Sequence, residues 1–482
     1  MEVSNTQSLY QNLISSAIQR CRIAEDLCRL TVVLKRIPDS DPPLVRISFS
    51  DTGIGSCLEE FQNLKCPRNS VSDDNFDGVL SVTTTSTCDC KIFHYHINLK
   101  ETVAARKLTR LPSTPKNGAK FSGTEVSLST CESIEELIEG ITHFFQKMLI
   151  LKIPKVAVEL VVERANGHGS GYENLLLADE GILLSLPISN VERLTSGLED
   201  YVLKHGNMFD QQCSSCFLSR EHLKVGNGVG CRTESARSTG QVVEAVIIIS
   251  ELPEPSSDSS PSCFRACSAR TEVLYFQEFS PCSIPQSSLD GLTSIDWKSY
   301  GLDLGTNVLD SNGCAILEWE NLPPYTHIDI VIHCYHKKVT IIQAQQKTKG
   351  YKHLVKKAIK VALDGLKQRY KGTLLSAHAV KICSYAPDLA RTITGLILSS
   401  NDREFQKECC SLLGLQPNVI EEEKKVEDCI KEKIIAIIEI NDKKQQRRTE
   451  FAPLLFDGEN IHGPEFLDEY HEGEDGYSIL DL

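Results

Sequence analysis

Leu9, Tyr10, Leu13, Ile14, Ala17, Ile18 and Cys21 recur at spacings of three and four residues, and two strand-like runs at 31–35 and 44–49 follow at once. The first pattern is a helix with one apolar face; Val45, Ile47 and Phe49 alternate onto one side of a strand. Each leaves an apolar surface that only a partner element can cover. The proline- and aspartate-rich turn at 38–43 returns the chain between the two strands. Strand-like runs at 91–99 and 124–128, a helix at 134–149 and a strand at 155–162 complete the set. The stretch therefore reads as an α+β sandwich, with helices against one antiparallel sheet.

A second α+β unit is expected further on. Strand patterns lie at 242–249, 272–278, 315–319 and 328–334, and a long helix follows at 349–371. Residues 180–240 are less periodic, and the Ser- and Pro-rich stretch 253–262 reads as a solvated loop. Three further helices are expected after residue 371, the last at about 419–440. The domain reading is 1–165, a connecting segment at 166–214, 215–372, a helical extension at 373–445, and a disordered acidic tail at 446–482. No internal repeat is evident.

Charge narrows the function classes. The 482 residues carry a net charge of −14, and residues 457–482 hold nine acids and no Lys or Arg, leaving −5 for the other 456. A globally basic nucleic-acid binder is excluded, though a local basic face is not. Glu2, Arg20, Arg22, Glu25 and Asp26 interrupt the first thirty residues, which argues against a secretory segment, and no apolar run is long enough for a membrane span. The nineteen cysteines are scattered singly and read as reduced thiols. Cys213, Cys216, Cys231, Cys263 and Cys267 lack the paired spacing of a zinc site, so no metal is expected.

Asp51-Thr-Gly53-Ile-Gly55 directly follows a strand. A carboxylate there can accept from an adenine amino group, and two residues without Cβ let backbone approach a flat base; a strand-ending turn is the plainer reading. The pattern resembles the adenine-holding loop of the GHKL (Bergerat) ATP-binding fold found in gyrase, heat-shock chaperones, histidine kinases and MutL. Gly123-Thr124-Glu-Val, opening a later strand, is similar to a further nucleotide box of that fold. On the first helix Asn12, Ser16 and Gln19 fall within about 60° of one another at 100° per residue. This flank resembles the N-box of the topoisomerase VI B subunit, where the resemblance places a Glu that activates water and an Asn that ligates magnesium. Here Asn12 cannot take a proton and Ser16 is a poorer ligand, so the site is expected to be degenerate. ATP hydrolysis and a bound cofactor are not expected, while weak adenine binding through Asp51, Gly53, Gly55 and Thr124 stays open.

The second unit strengthens the resemblance. Gly240-Gln-Val-Val-Glu244-Ala245, then Leu274-Tyr-Phe-Gln, then Ser294-Ile-Asp-Trp297-Lys298-Ser-Tyr300-Gly301-Leu302 are similar, in order, to elements of the topoisomerase VI B transducer, a ribosomal-protein-like α+β domain. His336-Lys337-Lys338-Val339 resembles the segment carrying that family's switch lysine, which would make Lys338 a phosphate contact; an exposed basic turn is the alternative. From Lys337 to Lys371 eleven Lys and Arg face one acid. Lys349, Lys356, Lys360, Lys367 and Lys371 cluster on one side of the helix, which suits DNA phosphates or is a solvated face.

Together these features resemble the meiotic topoisomerase VI B-like family, of plant type. The resemblance implies a nuclear, non-catalytic subunit that positions topoisomerase VI A-like transesterases on DNA to start meiotic recombination, as a heterotetramer of two A-like and two B-like chains. An active ATPase of the same fold and a chromosome-axis adaptor are the alternatives. Val426, Ile430, Ile434 and Ile437 recur near helical spacing and either dock the A-like partner or fold back on the chain.

Overall fold

The computed structural model describes residues 5–24, 26–37, 44–56, 59–62, 78–99, 108–166, 169–178, 189–205, 219–231, 240–251, 269–310, 313–320, 322, 326–336, 351–370, 374–415 and 423–448. The α+β class holds in two successive units. In the first, α1 (Asn5–Ile23) precedes β1 (Cys28–Ile37), β2 (Leu44–Asp51), the single turn α2 (Glu59–Gln62), β3 (Val79–Thr85), β4 (Lys91–Asn98), β5 (Leu108–Arg110), β6 (Thr114–Pro115) and β7 (Gly123–Thr130). Then come α3 (Ile134–Leu149), β8 (Val156–Asn166), β9 (Gly169–Ala178) and α4 (Asn190–His205). The sheet runs β5-β4-β3-β7-β2-β1-β8-β9, with β6 beside β4. All its pairings are antiparallel except β1 with β8. Helix α3 starts where Ser133 Oγ accepts the Glu136 N–H at 3.1 Å, with Glu135 and Glu136 complementing the helix dipole. Its apolar face, Leu137, Ile141, Phe145 and Met148, is buried.

The second unit contains β10 (Leu223–Cys231), β11 (Gln241–Glu251), β12 (Arg270–Gln277), β13 (Ser280–Pro281), α5 (Gln286–Thr293), β14 (Leu304–Leu309), β15 (Ala315–Trp319), β16 (Thr326–His336) and α6 (Tyr351–Arg369). Its sheet order is β10-β11-β16-β12-β15-β14. Strand β11 is buried on both sides. Val246 and Ile248 join α1, α3, α4 and the first sheet in one core, whereas Val243, Ala245 and Ile247 join a second core with α5 and α6. The layers thus run sheet, helices, sheet, helices, and the middle helices serve both units. Three alternate glycines of β10 admit α6: a Cβ on Gly226, Gly228 or Gly230 would lie 2.0–2.4 Å from a carbonyl oxygen of that helix.

Two expectations change. The segment read as a connection at 166–214 contains β9 and α4, whose Leu194, Leu198 and Val202 are buried in the shared core. The stripe is only three residues wide and is interrupted by Gly197, which weakens a helix signal but lets the helix sit against the Ile150 carbonyl. The C-terminal extension has four helices among the described residues where three were expected: α7 (Ala377–Cys383), α8 (Ala386–Ser399), α9 (Arg403–Leu413) and α10 (Glu423–Arg448). Asp442 of α10 ties them to the second unit. It accepts from the Ser376 N–H and hydroxyl at 3.2 and 2.5 Å, and lies 3.8 Å from Lys367 Nζ of α6. Among the described residues no helix is long and apolar enough to cross a membrane.

Candidate functional site

Strand register builds the loop read as an adenine site. Asp51, the last residue of β2, pairs with Thr124 of β7, which in turn pairs with Thr84 of β3. The three side chains are buried together. Asp51, however, has a partner from the chain itself. Arg20 on α1 donates to Asp51 Oδ2 through Nε at 3.0 Å and Nη2 at 2.7 Å, and the Gly53 N–H donates to Oδ1 at 3.0 Å. The side chains of this pair are 5% and 0% exposed. The other arm of the guanidinium pairs with Glu60 of α2, and its Cζ lies 5.9 Å from the centroid of the buried Phe61 ring.

The electrostatics follow from two carboxylates sharing one guanidinium. Burial works against the Arg20 charge, but Asp51 and Glu60 beside it prevail and hold its pKa above the ordinary arginine range. Burial pushes Asp51 up despite Arg20 and the Gly53 N–H. Glu60 is pushed up to about 7, first by burial and then by the Asp51 charge, with Arg20 opposing. The triad holds one negative charge more than it can pair, and the partly exposed Glu60 is where a proton relieves it.

The glycines have comparable internal uses. A Cβ on Gly53 would lie 2.6 Å from the Arg20 carbonyl carbon, so the surface that could approach a base is packed against the end of α1. A Cβ on Gly55 would meet the Thr85 carbonyl at 2.6 Å and one on Gly123 the Asp51 carbonyl at 2.4 Å. Gly55 also has φ +88°, a conformation side chains adopt at a cost. Thr124 Oγ1 lies 3.0 Å from Thr84 Oγ1, which accepts the Ser56 N–H at 2.9 Å. Asp51, Gly53, Gly55, Gly123 and Thr124 are therefore gathered as expected, around an arginine. Asn12 is exposed, Ser16 is half-buried, and Gln19 donates to the Glu278 carbonyl of the second unit.

Sequence reasoning missed Arg20, Glu60 and Phe61. A signal existed for the first. Arg20 lies three residues from Ala17 and seven from Leu13, on the apolar stripe of α1, where a charge requires a buried counter-ion.

The cationic and docking candidates separate in the structure. Lys356 and Lys360 are exposed on α6. Lys367 leaves the stripe: its side chain is 12% exposed, and Nζ donates to the Ser299 carbonyl at 3.1 Å beside the Tyr300 ring. Lys338, Lys349 and Lys371 lie outside the described residues, as do Cys213 and Cys216. Val426 and Ile430 are buried against Ala390 and Ile397 of α8, and Ile434 packs on the same seam. This corrects their assignment to a partner surface: of the two readings left open, the stripe folds back on the chain, because α8 covers it. Ile437 is 58% exposed. Among the described residues no group of three or more His, Cys, Asp or Glu could hold a metal ion.

Comparison with known proteins adds two family matches. The MTOPVIB middle domain matches residues 191–370, and the meiotic topoisomerase VIB-like C-terminal domain matches residues 378–443. No curated protein sequence matches the chain. Similar solved structures include the topoisomerase IV ATP-binding domain of Francisella tularensis in complex with a small-molecule inhibitor (TM-score 0.35, 10% identity, covering 75% of this chain and 87% of that one). Another is the B subunit of DNA gyrase from Myxococcus xanthus (TM-score 0.33, 11% identity, 75% and 86%). The N-terminal domain of a DNA repair protein is a third (TM-score 0.29, 11% identity, 69% and 87%). Likenesses this loose transfer no site residue.

Proposed function

The chain belongs to the meiotic topoisomerase VIB-like family, and on that premise we propose that it is a non-catalytic B-like subunit of a topoisomerase VI-like complex. In this reading it assembles two A-like transesterase subunits with two copies of itself in the nucleus and holds them across DNA, so that they form the double-strand breaks that initiate meiotic recombination. The observation that carries the non-catalytic part is the Arg20–Asp51 pair. The one carboxylate that the resemblance places against adenine is already bound by Arg20, and Asn12, which stands where the resemblance requires a water-activating carboxylate, cannot take a proton. The ATPase alternative loses its site for the same reason.

The C-terminal helices support the positioning part. Sixteen large apolar side chains are exposed among the described residues, and nine of them lie between Val380 and Ile440. Leu389 and Leu396 are seven residues apart, on one face of α8, and are 50% and 66% exposed. Scattered singly such residues mean little, but this density on a small helical domain supports a protein-binding role for it.

Two measurements test the reading. Calorimetry of the full chain with ATP and magnesium should show no binding heat and no turnover above buffer; turnover abolished by Asp51→Asn would overturn it. Co-expressed with A-like subunits, the variant carrying Leu389→Glu and Leu396→Glu should keep its melting temperature and lose the complex. Retention of the complex would move the interface elsewhere.

A further inference from the structure

Strands β12 and β13 are joined by the two-residue turn Glu278-Phe279, with Gln277 paired to Ser280. Both turn residues have left-handed backbone, φ 48° and 66°. Two-residue hairpins favour this conformation, but Asn-Gly is the pair that adopts it readily, and a Glu-Phe pair needs surrounding contacts to hold it there. The contacts come from two directions. On its own unit, Glu278 accepts the His336 N–H at 3.1 Å and pairs with the His336 ring. The Phe279 ring meets the His333 ring edge-on, with centroids 4.5 Å apart.

The other side-chain contacts belong to the first unit, and those to α1 come from one flank of that helix. Ser15 and Ser280 share a hydroxyl contact at 2.5 Å, the Gln19 side-chain amide donates to the Glu278 carbonyl, and the Arg22 guanidinium lies 4.0 Å from the Phe279 centroid. Positions 15, 19 and 22 are spaced by four and three residues, so the hairpin tip lies along one side of the helix for two turns. The opposite end of the second unit is fixed to the C-terminal helices through Lys367 and Asp442. The second unit therefore meets α1 through its hairpin tip and the C-terminal helices through Lys367 of α6.

We propose that the Glu278-Phe279 tip is an internal latch that holds the C-terminal half of α1 on the second unit without a bound ligand, beside the core the two units share. The inference rests on the reading that no nucleotide operates the first unit. Its consequence is that the C-terminal half of α1 stays on the second unit in the absence of nucleotide, as a positioning subunit requires.

The test is amide hydrogen exchange on the full chain. Glu278→Asn with Phe279→Gly installs the preferred turn sequence, so the hairpin itself is retained while its contacts with Arg22, His333 and His336 are removed. Arg22→Ala breaks the latch from the other side. Exchange of the α1 amides at 12–23 should accelerate at least tenfold in each variant, β11 should stay protected, and combining Arg22→Ala with Phe279→Gly should add nothing to either alone. Unchanged α1 exchange, fully additive effects, or acceleration spread evenly over both sheets would each overturn the latch. An arm with wild-type protein plus ATP and magnesium keeps the two readings apart: new protection of α1 there would sink the nucleotide-free reading itself, whatever the variants do.

Discussion

The loop after β2 and the C-terminal helices stand in opposite relations to their own side chains. Around the loop the groups that could serve a ligand already serve the chain: Asp51 binds Arg20, Gly53 admits the end of α1, and Thr124 meets Thr84. Along the C-terminal helices a narrow seam of Ala390, Ile397, Val426 and Ile430 is closed, while Leu396 and Leu412 remain 66% and 74% exposed. The loop has the motif with Asp51, Gly53 and Thr124 already in use; the helices have exposed apolar side chains. A motif records which fold the loop belongs to. An exposed apolar face is where the proposed partner contact would be made.

The largest effect that would break this contrast is expected at Arg20. Arg20→Ala leaves Asp51 buried without a counter-ion and should lower stability by about 3–5 kcal/mol in urea denaturation. Replacing both partners, Arg20→Met with Asp51→Leu, should recover most of that loss. A loss below about 1 kcal/mol in the single variant would mean that water reaches Asp51 and the loop is not closed. The helices supply the next comparison. Val426→Ala should cost about 2 kcal/mol because it opens the seam, whereas Leu412→Ala should stay within about 0.5 kcal/mol. Equal losses would show that the exposed face is packed after all.

A smaller effect reports the surplus negative charge of the triad. Glu60 has its folded pKa raised to about 7, so the native chain holds its proton more tightly than the unfolded chain does. Its contribution is most favourable below the ordinary glutamate value and is lost as pH rises through about 7. Glu60→Gln should therefore change little at pH 5 and stabilise the protein by roughly 1–2 kcal/mol at pH 8, less than the full shift because the Glu60 side chain is partly exposed to water. Destabilisation at pH 8 would mean that the ion pair outweighs burial.

Legibility in the sequence followed the range of the interaction. The α1 stripe, the alternation of β2 and the apolar face of α3 are local patterns, and each reappears as an element with its apolar face buried. The turn at Asp51, Gly53 and Gly55 declares itself locally, whereas Gly123 and Thr124 join it only through the resemblance, and strand register brings the two segments together. Arg20 is readable as a buried charge but not as the partner of Asp51, because a sequence separation of 31 residues hides which carboxylate answers it. The Val426–Ile434 stripe shows a similar limit. Periodicity states that a face is buried, not whether α8 or another protein buries it. Lys367 was grouped with its neighbours by helical angle, and only Ser299, Tyr300 and Asp442 reveal that it turns inward.

The smallest effect separates used from unused lysines within α6. Lys356 and Lys360 are exposed one turn apart, while Lys367 is committed to the second unit and α10. If the exposed pair contacts phosphates, neutralising both with Gln should flatten the plot of log binding constant against log salt by up to about 1.8, since each phosphate contact contributes about 0.9 to the slope. The loss should be the same for all DNA sequences, because phosphate contacts position without reading bases. Lys367→Gln should do the reverse: its charge faces Asp442 and Ser299 rather than solvent, so the slope should hold while the C-terminal helices loosen. Fluorescence titrations of a short duplex at several salt concentrations measure the first, and hydrogen exchange of α10 the second. An unchanged slope for Lys356 and Lys360 would return them to the solvated surface, and a flattened slope for Lys367 would show that its contacts open when DNA binds.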